Sequence, residues 1–123
     1  MIMEFKRAQR VEGLILGEIS NILLRDIKDP RIGFVTITKV IVSDDLRHAK
    51  VYVSIMGEEK EKKDSLKGLH SAAGFIRKEL GHRVHLRYVP EIVFKLDDSM
   101  EKSARILSLL SDLKKEEPGE RNN

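Results

Sequence analysis

Three sets of residues have types and spacings that could carry chemistry. Ser99-Met100-Glu101-Lys102 fits the S-x-x-K pattern in which a lysine helps to activate a serine nucleophile. The companion motifs of such acyl enzymes are missing, and a serine directly after Asp98 equally serves as a helix N-cap. His82 and His85 form an H-x-x-H pair without a third ligand, and only folding could bring Asp97 or Asp98 to them. The two histidines are therefore read as polar residues beside a basic surface. The carboxylate pairs Asp44-Asp45 and Asp97-Asp98 are the residue types that turns and helix caps use. Neither G-x-G-x-x-G nor a Walker lysine motif occurs, and with no cysteine there is no thiolate ligand or nucleophile. No catalytic residue, metal ligand or cofactor site is nominated.

Charge placement says more than charge total. The chain has 23 Lys+Arg against 20 Asp+Glu, and a net charge of +3 does not separate an RNA binder from an ordinary soluble protein. From Arg77 to Lys95, however, five basic residues (Arg77, Lys78, Arg83, Arg87 and Lys95) stand against two acidic ones, Glu79 and Glu91. Lys6, Arg7 and Arg10 form a second cluster at the start of the first helix, where cations oppose the helix macrodipole. Such a placement is easier to understand if the cations serve an anionic ligand; the plain alternative is a solvated charged face. Of the aromatic residues, Phe34 and Phe94 are expected in the core and Tyr52 on an outward strand face, so an RRM-like stacking surface is not expected.

The elements that must position these residues follow from hydrophobic spacing. At 123 residues the chain suits one domain, burying roughly two-thirds of its unfolded surface. It has no apolar run near the roughly 20 residues of a membrane span and no signal-peptide core in its first ten residues, so a small intracellular protein is expected. Val11, Ile15, Ile19 and Ile22 recur at helical spacing, which predicts a helix over residues 3–26, with Leu14 and Leu23 widening the stripe. Gly13 and Gly17 would each cost about 1 kcal/mol there relative to Ala, unless they admit a close neighbour. Residues 34–43 and 49–56 read as an antiparallel hairpin through Ser43-Asp44-Asp45-Leu46. Its first strand changes phase between Ile37 and Val40, which predicts a bulge near Thr38 to Val40. Leu66, Leu69, Ala73, Ile76 and Leu80 predict a second helix, with Gly74 permitting a kink or a break into two. Ile92 to Leu96 is a third strand, and Asp98-Ser99 caps a last helix carrying Leu107, Leu110 and Leu113. Residues 114–123 lack an apolar anchor and are expected to be a disordered charged tail to a domain over 1–113. The expected class is α+β, ordered α-β-β-α-kink-α-β-α, a three-stranded sheet with helices on one face.

Without its last helix, that order is the connectivity of a type II KH domain, which normally clamps single-stranded nucleic acid with a G-x-x-G loop. This chain has no two glycines three apart, and Ala72-Ala73-Gly74 stands at the corresponding place as an A-x-G kink. Around it run Arg7, Arg10-Val11, Asp29-Pro30-Arg31, Thr36-x-Thr38-x-Val40-x-Val42-Ser43 and Asp45-Leu46. Ala49-x-Val51-Tyr52-Val53-Ser54, Ile76-Arg77, Leu86-Arg87-x-x-Pro90-Glu91 and Phe94-x-x-Asp97-x-Ser99 continue the series. This ordered set, over about residues 5–110, resembles the ribosome-binding factor A family. The resemblance implies a KH-like cytoplasmic domain that binds free 30S small ribosomal subunits late in assembly and assists maturation of 16S rRNA. It implies contact with RNA near the decoding region, departure before translation, no catalysis, no cofactor and a link to cold adaptation. On this reading Arg7, Arg10, Arg77, Lys78, Arg83 and Arg87 contact RNA, with Ala72 and Gly74 shaping the kink that presents Arg77 and Lys78. A generic single-stranded RNA-binding KH module and a ribosomal-protein adaptor are the alternatives. A monomer without membrane contact is expected, since no sustained heptad is present.

Overall fold

The computed structural model describes the backbone of residues 2–121 and the side chains of residues 7–114. Its elements are α1 (Ile2–Arg25), β1 (Val35–Val42), β2 (His48–Ile55), α2 (Glu59–Arg83), β3 (Glu91–Leu96) and α3 (Ser99–Arg121), an α+β arrangement. The sheet order is β1-β2-β3, with β1 antiparallel and β3 parallel to β2, so α2 is the crossover between the parallel pair. Alternation along the strands turns Val40, Val42, Ala49, Val51, Val53, Ile55, Ile92 and Phe94 to one face, where they are buried. Val11, Ile15, Ile19 and Ile22 of α1 and Leu69, Ile76 and Leu80 of α2 cover that face, as their spacing requires. The opposite face, with Lys39, Lys50 and Lys95, is open.

The expected bulge is present. Ile37 pairs with Val53 but Lys39 pairs with Tyr52, which leaves Thr38 as the extra residue. Thr38 Oγ1 donates to Asp97 Oδ2 (2.6 Å), and Asp97 Oδ1 accepts the Ser99 N–H (2.9 Å) at the start of α3. These bonds, Thr38 first, lower the Asp97 pKa from 3.8 to about 2. Asp97 thus fastens the bulge to the last helix. Lys102, the lysine of the S-x-x-K run, pairs with Asp98 (3.5 Å), the residue just before that helix.

Several expectations need correction. Gly74 does not divide α2, which runs unbroken from Glu59 to Arg83. A glycine costs about 1 kcal/mol in a helix, far less than is gained by keeping Leu69, Ile76 and Leu80 in one buried phase. Nor do Gly13, Gly17 or Gly74 admit a close neighbour, since among the described residues a Cβ on each would meet no other element within 4 Å. The close approach is at Gly68, where a Cβ would lie 2.7 Å from Ile32 Cγ1. Phe34 is not in the core: it is 71% exposed at the entrance to β1. Leu107, Leu110 and Leu113 do not pack against the sheet either, because α3 leads away from it after Asp97, held to α2 by a Lys62–Glu101 ion pair. The backbone of α3 is helical from Ser99 to Arg121, and the side chains of residues 115–123 lie outside the described residues.

Candidate nucleic-acid interface

Parallel pairing sets up the site. His48 lies opposite Glu91, and the Glu91 N–H donates to the Arg47 carbonyl (2.8 Å), so the hairpin tip is held beside the segment joining α2 to β3. On the other side, Glu12 reaches from α1 to accept the Val42 N–H (2.8 Å), fixing the first turns of α1 against the same tip. Three stretches distant in sequence therefore converge. Between them is a cavity of about 450 Å³ lined by Arg7 and Arg10 from α1, Asp45 and Leu46 from the tip, and His85, Leu86, Arg87 and Tyr88 from the α2–β3 segment. Val11 and Leu14 complete it on the α1 side.

Tyr88 divides this cavity from a second one of about 360 Å³, bordered by Arg47, His48, Arg77 and Glu91. The guanidinium carbons of Arg47 and Arg87 lie 5.2 and 5.9 Å from the centre of the Tyr88 ring, a cation–π arrangement on a half-exposed aromatic. None of Arg7, Arg10, Arg47 and Arg87 pairs with a carboxylate among the described residues. Asp45 is the acid of the cavity. Its Oδ1 accepts from Ser43 Oγ (2.6 Å) and the Arg47 N–H (3.0 Å), and those bonds, the Ser43 one foremost, hold its pKa below the usual carboxylate range.

The sequence-nominated cations thus fall into different settings. Arg7, Arg10 and Arg87 share one cavity. Arg77 borders the adjoining one, with Nε and Nη2 donating to the Val89 carbonyl (3.2 and 3.0 Å), so it braces the loop that carries Arg87 and Tyr88. Lys78 is exposed and lines neither cavity. Arg83 is enclosed by acids: Asp26 at Nη2, Glu18 at Nη1 (3.9 Å) and Glu79 at Nε (3.9 Å). The side chain of Lys6 lies outside the described residues. Arg47 and Tyr88 were not nominated; Tyr88 beside Arg87 was the one local signal available, whereas Arg47 joins them only through strand pairing. No group of three or more His, Asp or Glu residues able to hold a metal forms among the described residues, and no described helix is long and apolar enough to cross a membrane. What this arrangement can do is bind anions with guanidinium groups gathered near an exposed aromatic ring.

Comparison with known proteins gives the chain its relatives. The sequence pattern of the family described as "Ribosome-binding factor A" matches residues 7–110. A ribosome-binding factor A from Halothermothrix orenii is 54% identical over 97% of this chain and 98% of its own. The solution structure of a Thermotoga maritima protein described as a putative ribosome binding factor A is 35% identical, with a TM-score of 0.62 over 72% of this chain and 85% of its own. A homology model of the Thermus thermophilus ribosome binding factor A, as fitted into the cryo-EM map of a 30S complex, is 25% identical, with a TM-score of 0.55 over 75% of this chain and 92% of its own.

Proposed function

The chain belongs to the ribosome-binding factor A family, and from that membership we propose that it binds the free 30S small ribosomal subunit through 16S rRNA. The observation that carries the reading is the convergence of Arg7, Arg10 and Arg87 on one cavity, in a fold similar to one placed in a 30S complex. Guanidinium groups from two chain segments, α1 and the α2–β3 loop, brought together across the hairpin tip, suit the phosphates of a folded RNA surface better than one extended strand. Arg47, Arg77 and Lys78 extend the positive surface around Tyr88 and along α2. Residues 1–113 form the binding domain. The protein acts late in subunit maturation, in the cytoplasm, and supports rRNA processing without making or breaking a bond. By binding one rRNA arrangement more tightly than its competitors, it raises the population of that arrangement.

Co-sedimentation with purified small subunits, large subunits and assembled ribosomes across a salt series tests this. Binding confined to free small subunits, weakening steeply as salt rises, is the expected result. No binding to any ribosomal particle at low salt sinks it.

A further inference from the structure

The cavity between α1 and the hairpin tip is not built as a plain phosphate patch. A surface that only neutralises phosphates needs no apolar walls, yet Val11, Leu14, Leu46 and Leu86 supply them here. Leu46 takes a left-handed backbone conformation (φ 61°), an unfavourable one for a branched side chain, and it lines the cavity at the tip of the hairpin. Tyr88 is 53% exposed on the same wall, its ring held by the two neighbouring guanidinium groups. At about 450 Å³ the cavity falls within the range of small-ligand sites. It therefore combines a flat aromatic, apolar walls, three cations and one carboxylate.

We propose that this cavity takes one unpaired RNA nucleotide, its base against Tyr88 and Leu46 and its phosphate on Arg7 and Arg10. The proposal rests on the reading above that the chain binds RNA, and names the element of the RNA that the cavity receives. Aromatic stacking is indifferent to base identity, so any preference comes from Asp45. An ionised carboxylate repels phosphate but accepts from a base N–H; Oδ1 is already used by Ser43 and Arg47, while Oδ2 has no hydrogen bond among the described residues. Bases with an exocyclic amino group, such as cytosine with N4, are favoured over uracil, whose one donor, N3–H, lies between two carbonyl oxygens that the carboxylate repels.

The test uses the full chain, single-stranded RNA of about ten nucleotides carrying a central 2-aminopurine, and, in parallel, purified small subunits. The native protein and Tyr88→Phe are expected to quench the probe. Tyr88→Ala, on an exposed side chain and with unchanged thermal unfolding, is expected to lose the quench and to bind subunits about tenfold more weakly. An all-cytosine oligonucleotide is expected to bind several-fold more tightly than an all-uracil one, and Asp45→Asn to narrow that gap. Quenching by Tyr88→Ala equal to that of the native protein overturns the proposal. So does a native protein that sediments with subunits but never quenches, which leaves subunit binding intact. A native protein that sediments with no ribosomal particle overturns the underlying reading as well.

Discussion

Arg83 and Arg87 stand four residues apart in a run of basic sequence, and the fold gives them opposite surroundings. Arg83, in the last turn of α2, faces Asp26, Glu18 and Glu79, so its charge is matched by the protein's own carboxylates. Arg87, in the loop that follows, points its guanidinium towards Tyr88 and shares a cavity with Arg7 and Arg10. One ties two helices together, while the other belongs to a cluster of like charges that is unfavourable without an anion. A basic residue is thus informative about a ligand only once its internal partners are known.

Breaking the open cluster should have the largest effect. Replacing Arg7, Arg10 and Arg87 together with Ala is expected to weaken small-subunit binding by about a hundredfold or more at low salt and to make the log–log salt slope shallower by about three. Urea unfolding should stay within about 0.5 kcal/mol of the native chain, because none of the three pairs with a carboxylate among the described residues. Arg83→Ala should show the reverse pattern. It is expected to lose about 1 kcal/mol of stability, the ion pairs being about one-third exposed, and to keep subunit affinity within about twofold. Asp26→Asn sharpens the contrast further, since Arg83 retains Glu18 and Glu79 at 3.9 Å. A stability loss of a few tenths of a kcal/mol by urea titration and slightly tighter subunit binding are expected.

An acidic group offers the smallest test of the same distinction. Asp97, like Arg83, is satisfied internally, by Thr38 and Ser99. Its folded-state pKa of about 2 lies below the ordinary 3.8, so its contribution is complete above pH 3.8 and is lost as pH falls towards 2. Acid unfolding of Asp97→Asn should therefore converge with that of the native chain across this window, with subunit binding at neutral pH unaltered.

What the sequence disclosed depended on the range of the interaction. The α1 stripe, the hairpin and the bulge at Thr38 were legible because each is a local periodicity, or a local failure of one. The continuity of α2 through Gly74 was not, since tertiary burial on either side outweighs a local propensity. Phe34 and the leucines of α3 look like core residues by type, yet nothing local says that α3 leads away from the sheet. At the candidate site the same division holds. Arg7, Arg10 and Arg87 stood out as basic residues, but the acids around Arg83 come partly from α1. Arg47 reaches Tyr88 only because β2 and β3 run parallel.

The most direct test is to titrate Arg83→Ala and Arg87→Ala side by side against free small subunits over a range of salt. The structure predicts a salt slope about one unit shallower for Arg87→Ala and an unchanged slope for Arg83→Ala. Equal slopes, or a loss confined to Arg83→Ala, would contradict the assignment of the Arg7–Arg10–Arg87 cavity as the RNA-binding surface.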